Sequence, residues 1–443
     1  MDAPTSSNHS PPDLVVVGLG YVGLPLARQA THAGLRVAGF DVNRSVVTDL
    51  GKGRSHVDDV NDDALDAMLA AGFLPTDEPE ILRHARTIVI CVPTPLSGEG
   101  GPDLTAVTSA VSSIAAHLTP GTLVVLESTT YPGTTEEVVR PLLERSGLAA
   151  GEDFHLAYSP ERVDPGNTTY DVGNTPKVVG GVTPGCAEAA AAFYGRFVQQ
   201  VVRARGTREA EMAKLLENTY RHVNIALVNE MAVFCRELDV DLWDSIACAA
   251  TKPFGFQAFY PGPGVGGHCI PIDPNYLSYK VRTLGYPFRF VELAQEINAR
   301  MPAYVTMRAQ DLLNTRGLAL SRSRVLLLGV TYKPDIADQR ESPAQQVASR
   351  LRAHGARLRY HDPHVDHWAV NGEPVDRAER LEEGLADTDL AILLTDHGVY
   401  TRDLLEKYAD LLLDTRGVLR RPTAGDEGNR ASAVPAHAGL DVL

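Results

Sequence analysis

The chain has 443 residues, 44% of them apolar and 22% charged, a balance suited to soluble packed cores and long enough for about three domains. Its 41 Lys and Arg against 56 Asp and Glu leave a formal charge of −15, which excludes a nucleic-acid partner held by bulk charge but not a local basic pocket. No stretch approaches the roughly 20 apolar residues of a membrane span, so no membrane partner is expected.

Residues 1–12 are polar, with neither a basic region nor an apolar one, and read as a disordered lead rather than a signal peptide. Asp13–Gly18 is a short apolar run typical of a buried parallel strand, and a helical pattern follows from Val22 to Ala33. Further strands are expected at 35–41, 87–92, 123–127, 154–159 and 177–180. Strands alternating with helices predict a doubly wound parallel sheet over 13–203. From Thr207 to Leu238 there is no Pro or Gly, and apolar residues recur at Met212, Leu215, Leu216, Val223, Leu227, Met231, Phe234 and Leu238. That predicts one helix about 48 Å long, enough to bridge domains or subunits. Helices over 242–250 and 290–313 complete a central region at 204–314, the latter expected to break or kink at Pro302. The last third, 315–421, again reads as an α/β unit: strands at 324–330, 358–360 and 390–394, and a helix over 343–354. Residues 422–443 read as a loose tail.

Gly18-Leu19-Gly20-Tyr21-Val22-Gly23 follows a strand and opens a helix. Gly18 permits the tight turn, Gly20 lets a pyrophosphate approach, and Gly23 lets helix and strand pack closely, while the helix N-terminus favours phosphate. Asp41 ends the next strand, where a carboxylate accepts the ribose hydroxyls and repels a 2′-phosphate. The expected cofactor is therefore NAD, a preference that the nearby Arg44 weakens slightly. Val92-Pro93-Thr94-Pro95, Glu127-Ser128-Thr129-Thr130 and Ser159-Pro-Glu161-Arg162 end other strands, where α/β ligands bind.

The five cysteines, Cys91, Cys186, Cys235, Cys248 and Cys269, are an odd number with no CxxC, so neither a disulfide framework nor a metal site is expected, and a reducing cytoplasm is. Four of them read as buried apolar fillers. Cys269 differs. It lies in Pro261-Gly-Pro-Gly-Val-Gly-Gly-His-Cys-Ile-Pro-Ile-Asp273, too rich in Gly and Pro for a helix or strand and placed for nucleophilic work beside His268. Lys214 and Asn218 share one face of the long helix, which is either a solvated face or a pair that stabilises an oxyanion. Lys333 and Arg340, after the 324–330 strand, are either phosphate ligands or a surface ion pair.

These segments together resemble the UDP-glucose/GDP-mannose dehydrogenase family. The pieces are GLGYVGLPLA (18–27), VPTP (92–95), ESTTYPGTT (127–135), SPERVDPGN (159–167), EMAKLLENTYR (211–221), PGPGVGGHCIPIDP (261–274) and TYKPDIADQRESPA (331–344), in the family's order. The resemblance implies two Rossmann-like doubly wound α/β domains joined by a central helical region with one long helix, and a homodimer through that helix. It implies two NAD-dependent oxidations of a nucleotide-linked hexose at C6, through a Cys-linked thiohemiacetal and thioester. Cys269 resembles the nucleophile, Lys214 and Asn218 the oxyanion stabilisers, and Asp273 the acid/base carboxylate. Thr129 and Glu161 resemble the residues that hold the hydrolytic water. NAD contacts are implied for Gly18, Gly20, Tyr21, Val22, Gly23, Asp41, Arg44, Val92, Pro93, Thr94, Ser128 and Thr129. Substrate contacts are implied for Glu161, Arg162, Val163, Lys214, Asn218, Phe256, Tyr260, Gly264, Gly266, Lys333 and Arg340.

The chain departs from the family at Pro165, where some members carry a second acid, and Lys252 stands as a weak substitute for a cation that some members insert from a neighbouring subunit. The sugar is expected to be uridine-linked, either glucose or an N-acetylhexosamine. dTDP-glucose, GDP-mannose and a single-step hydroxyacid dehydrogenase are the alternatives.

Overall fold

Leu14–Val17 forms strand β1, and its residues alternate between two cores: Leu14 and Val16 pack on one side of the sheet, Val15 and Val17 on the other. This is how a central strand with helices on both faces must read, as an unbroken apolar run. The computed structural model describes residues 11–97, 101–164, 166–167, 169–267, 270–420 and 439–443. The chain divides into two compact units, Met1–Glu217 with Asn275–Gly285, and Asn218–Pro274 with Tyr286–Leu443. The residues expected to form a central region are thus shared between the two.

In the first unit β1 is joined by β2 (Val37–Phe40), β3 (Leu74–Thr76), β4 (Thr87–Ile90), β5 (Leu123–Leu126), β6 (His155–Tyr158), β7 (Lys177–Gly181) and β8 (Val201–Arg203). Their order is β3-β2-β1-β4-β5-β6-β7-β8, with the topological switch between β1 and β4. All neighbours run parallel except β6 and β7, which are antiparallel, so the sheet is mixed at one side. The first helix, Gly23–His32, follows β1 as its pattern predicts.

The second unit holds a six-stranded sheet. Its members are β9 (Arg324–Leu328), β10 (Arg357–His361), β13 (Asp376–Arg377), β14 (Leu390–Leu393), β15 (Leu412–Asp414) and β16 (Leu440–Val442). They run in the order β13-β10-β9-β14-β15-β16, with a small hairpin of β11 (Ala369–Val370) and β12 (Glu373–Pro374) beside them. Val325 and Leu327 face one core, Leu326 and Leu328 the other. The two sheets share one backbone device at their switch points. A Cβ on Gly18, after β1, would lie 2.8 Å from the carbonyl of Cys91 after β4, and one on Gly329, after β9, would lie 2.4 Å from the carbonyl of Thr395 after β14.

The long helix runs Thr207–Glu237, 31 residues, and a shorter one spans Leu242–Ala250 as predicted. The helix Arg289–Thr315 carries Pro302 inside it, so the expected break does not occur. Pro302 is itself buried, and the packing around it outweighs the one backbone hydrogen bond that a proline removes. Among the described residues no helix is long and apolar enough to cross a membrane.

The chain end corrects the loose-tail expectation. Residues 421–438 lie outside the described residues, but Leu440–Val442 pairs in parallel with β15. The Asp441 carboxylate accepts from Arg308 at 2.6 Å and from Arg236 at 3.3 Å, and Trp243 Nε1 donates to the Leu443 carbonyl at 2.9 Å. The Arg308 side chain is only 2% exposed, so it needs that carboxylate. Asp441→Ala is expected to lower unfolding stability by about 2–3 kcal/mol, less than the roughly 3–5 kcal/mol of breaking a fully buried pair because Asp441 itself is partly solvated. Denaturant titration of the two chains measures it, and coincident curves would refute it.

Candidate active site

The glycines of the first turn have separate reasons. Gly18 has φ +92°, a left-handed conformation that L side chains avoid, and the Cys91 carbonyl leaves no room for a Cβ. A Cβ on Gly23 would sit 1.9 Å from the Gly18 carbonyl, so helix and turn touch directly. Gly20 has no atom within 4 Å of a built Cβ: its missing side chain leaves open space. Open space over a turn that leads into an N-terminus with no side-chain cap suits a pyrophosphate. Asp41 accepts the Leu19 N–H on one carboxylate oxygen and the Asn43 N–H on the other, each at 2.9 Å, which fixes the carboxylate at the end of β2. Arg44 pairs with Asp77 at 2.9 Å. These residues fit NAD, the carboxylate meeting the ribose diol.

The next two strand-end loops are tied together. Thr94 Oγ1 donates to the Thr129 carbonyl at 2.8 Å, and Ser128 Oγ to the Val92 carbonyl at 2.7 Å. Tyr276 donates its hydroxyl to the Thr94 carbonyl, while Pro93 is exposed. Beneath them Glu127, just after β5, is 1% exposed and pairs with Lys177 at 2.9 Å and with the Tyr194 hydroxyl. Its role is therefore to support the loop, a pairing hidden in the sequence because the partners lie 50 and 67 residues away.

Lys214 is buried. Its ammonium donates to the Glu161 carbonyl at 2.6 Å and pairs with the Glu161 carboxylate at 3.3 Å, while the other carboxylate oxygen accepts the Val163 N–H. The solvated-face reading of Lys214 thus fails. Three residues earlier on the same helix, Glu211 is fully buried and takes the N–H groups of Gly133 (2.5 Å) and Thr135 (2.9 Å) and the Thr135 hydroxyl. Burial pushes its carboxyl up to about 7 against those donors. Nothing in the pattern singled it out. Arg162, expected at the substrate, donates to the Pro176 carbonyl at 2.6 Å and to Glu217 at 2.7 Å, so its guanidinium braces the loop it stands on. Val163 lines a cavity of about 220 Å³ with residues of the first helix and Asp59.

In the second unit Asn218 donates to the buried Asp273 carboxylate at 2.5 Å, joining the long helix to the start of the helix Asp273–Thr283. Before Asp273 comes the glycine-rich stretch. Its glycines meet the protein's own side chains: a Cβ on Gly266 would lie 2.8 Å from Tyr332 Cβ and 2.7 Å from the Glu341 carbonyl. One on Gly267 would lie 2.8 Å from the Tyr332 ring, and Gly264 faces Pro343. Cys269 and His268 lie outside the described residues, as does Pro165. Cys91, Cys186 and Cys235 are buried as expected, but Cys248 is exposed, so it is not a core filler. Burial drives the Cys91 thiol well above its ordinary value. Phe256 is exposed, and Tyr260 stacks on Trp243 with ring centroids 5.1 Å apart.

At the ends of β9, β10 and β14, Lys333 and Arg340 part company. Arg340 forms a bidentate pair with Asp338, whose oxygens lie 2.6–3.0 Å away, so the ion-pair reading holds for it here. The Lys333 loop is braced by Thr331 Oγ1, which donates to the Lys333 carbonyl at 2.9 Å. His397, fully buried, lies 3.0 Å from Asp362 through Nε2 and accepts the Asp335 N–H on Nδ1 at 2.8 Å. Burial would raise Asp362, but His397 and the N–H groups of Val330 and His364 hold it below the ordinary carboxylate range. Asp335, His364 and His397 bring potential ligand atoms within 4.8 Å of one another, yet the Nδ1 lone pair of His397 is already taken by a backbone N–H.

A glycine-rich strand–turn–helix with a fixed carboxylate at the next strand end, and an acid–amide pair beside a glycine-rich loop, fit a nucleotide-linked oxidoreductase. The chain matches the models of the UDP-glucose/GDP-mannose dehydrogenase family in three parts: the NAD binding domain at 13–198, the central domain at 208–300 and the UDP binding domain at 326–421. The UDP-N-acetyl-D-mannosamine dehydrogenase of Pyrococcus horikoshii is 34% identical over 419 residues, 93% of this chain and 97% of its own length. A solved structure of the UDP-D-ManNAc dehydrogenase from that organism superposes with a TM-score of 0.83 at 33% identity, covering 93% of this chain and 97% of that one. The UDP-N-acetyl-D-glucosamine 6-dehydrogenase of Pseudomonas aeruginosa is 36% identical over 354 residues, 80% of this chain and 83% of its own. The chain belongs to the UDP-glucose/GDP-mannose dehydrogenase family and is an NAD-dependent nucleotide-sugar 6-dehydrogenase.

Proposed function

We propose that the chain oxidises a UDP-N-acetylhexosamine, UDP-N-acetylmannosamine first, at C6 to the uronic acid. The observation carrying this choice is that a relative matching this chain over nearly its whole length is named for that sugar. UDP-N-acetylglucosamine is the second reading, from the Pseudomonas aeruginosa relative.

NAD, when bound, accepts a hydride in each of two oxidations. The chain's residues do the rest. The first oxidation converts the C6 alcohol to an aldehyde. The Cys269 thiolate adds to that aldehyde, and the Lys214 ammonium and Asn218 amide stabilise the oxyanion formed. Loss of a second hydride leaves a thioester on sulfur. Water, held by Thr129 and Glu161, attacks the thioester carbon, and the thiolate leaves as the acid forms. Asp273 takes and returns protons, and the 2.5 Å bond from Asn218 supports this role by holding its carboxylate still. The sulfur retains the sugar between oxidations, so only the dinucleotide exchanges. Gly18, Gly20, Tyr21, Val22, Gly23 and Asp41 hold that dinucleotide, with the loops at 92–94 and 128–129. Glu161, Arg162, Val163, Lys214, Asn218, Phe256, Tyr260, Gly264, Gly266, Lys333 and Arg340 contact the sugar nucleotide.

The assembly proposed is a cytoplasmic homodimer through the long helix. Support comes from its exposed apolar side chains: Leu216 is 64%, Leu227 52% and Phe234 44% exposed.

The test is to supply NAD with UDP-N-acetylmannosamine, UDP-N-acetylglucosamine, UDP-glucose, GDP-mannose and dTDP-glucose in turn and count NADH per sugar consumed. Two per UDP-N-acetylmannosamine is expected. Turnover only with UDP-N-acetylglucosamine would select the second reading; one NADH per sugar, or turnover only with UDP-glucose, GDP-mannose or dTDP-glucose, would reject the proposal.

A further inference from the structure

Three of the polar side chains buried inside the helical part of the second unit lie together, and the proposed mechanism uses none of them. Asn229, on the long helix, is 0% exposed, Asn298, on the helix Arg289–Thr315, 5%, and His222 3%. Buried amides are costly unless their donors and acceptors are paired. Asn229 Nδ2 donates to Asn298 Oδ1 at 2.9 Å, and Asn298 Nδ2 lies 3.5 Å from both Nδ1 and the carbonyl of His222. That leaves the Asn229 acceptor, and it takes the backbone N–H of Gly262 at 2.9 Å. The amide pair thus ends on the loop that leads to Cys269.

The same loop is crowded from other neighbours. Gly264 packs on Pro343, with the Asn298 carbonyl 3.6 Å from a built Cβ, and Gly266 and Gly267 press on Tyr332. Pro302 has no N–H for the Asn298 carbonyl four residues before it, which leaves that carbonyl facing the loop. Burial depresses His222 to about 4, so at neutral pH it carries no charge, and its Nε2–H tautomer offers an Nδ1 lone pair to Asn298. A neutral chain of amides that ends on one loop N–H is a register device: it fixes where the loop starts, seven residues before Cys269.

We infer that Asn229, supported by Asn298, is a positioning residue that sets the Pro261–Gly267 loop so that Cys269 meets the C6 aldehyde. This rests on the reading of Cys269 as nucleophile. The two oxidations separate its effect from a general loss of structure. Oxidation of the alcohol to the aldehyde needs no sulfur, whereas oxidation to the acid does. A loop out of register therefore releases aldehyde, and NADH per sugar falls from two towards one.

The experiment compares Asn229→Ala, Asn229→Asp and Cys269→Ser in the full chain. Each receives NAD and the sugar nucleotide turned over by the parent chain, with hydroxylamine present to trap free aldehyde. Asn229→Ala is expected to cut acid formation tenfold or more and to release trappable aldehyde. Asn229→Asp keeps the acceptor for the Gly262 N–H, the bond that sets the loop, so it is expected to restore a ratio near two. Two NADH per sugar from a folded Asn229→Ala would overturn the inference, as would an equal slowing of both oxidations. Should Asn229→Ala not fold, aldehyde release by Asn229→Asp overturns it and a ratio near two upholds it. Acid formation by Cys269→Ser would instead overturn the nucleophile reading, independently of either Asn229 result.

Discussion

Cys269→Ser is expected to abolish uronic acid formation, by about a thousandfold or more, while NAD still binds. The reason is chemical. A serine hydroxyl is almost wholly protonated at neutral pH, where a positioned cysteine supplies thiolate. No described cysteine can substitute. Cys91 is buried against the Glu127 charge, and both effects hold its thiol protonated, while Cys186 and Cys235 are buried and Cys248 stands on the exposed side of the helix Leu242–Ala250. NADH per sugar, product mass and NAD affinity measure the result together. Acid production at the parent rate would remove the covalent mechanism and return the chain to a single-site hydride chemistry.

Lys214→Ala is expected to lower kcat by about 10²–10³, the cost of losing one preorganised oxyanion donor, with little change in NAD affinity. The structure adds a second consequence. The Lys214 ammonium bonds both the carbonyl and the carboxylate of Glu161, whose side chain is 13% exposed. Its removal leaves a nearly buried carboxylate without its cation and frees the loop meant to hold the hydrolytic water. Lys214→Arg should not rescue activity, because a planar guanidinium cannot replace a point charge that bonds two oxygens of one residue. Steady-state kcat and KM for both substrates decide it. A kcat within threefold of the parent in Lys214→Ala would exclude Lys214 from the reaction.

What the structure contributes is clearest along the long helix. Its limits were legible almost to the residue, because 32 residues without Pro or Gly have little choice but to be helical. Its orientation was not. Met212, Leu216, Leu227 and Phe234 form the apolar stripe, which in a lone domain would face the core, yet they are exposed. The polar residues Glu211, Lys214, His222 and Asn229 are buried instead, beside Leu215, Ala226, Val228 and Ala232. Each has a partner distant in sequence: the turn at Gly133–Thr135, Glu161, Asn298 and the Gly262 N–H. Periodicity reports the spacing of apolar residues but not which side has neighbours to satisfy polar ones. Arg162 and Arg340 are each held by an ion pair, to Glu217 and to Asp338, that the strand-end pattern does not specify. A guanidinium at a strand end suits a ligand or an internal brace equally, and the positions of Glu217 and Asp338 supply the brace.

The amino acids alone determined the α/β class, the dinucleotide turn with its acidic partner, the helix limits and the loop that carries Cys269. All of these are written in contiguous residues through local sterics, glycine conformations and hydrophobic period. Tertiary structure alone decided the antiparallel β6–β7 pair, the return of residues 440–442 as an edge strand, the burial of Lys214 against Glu161 and the amide pair beneath Gly262. These depend on hydrogen bonds and ion pairs between residues tens to hundreds of positions apart, and no local pattern encodes such pairings.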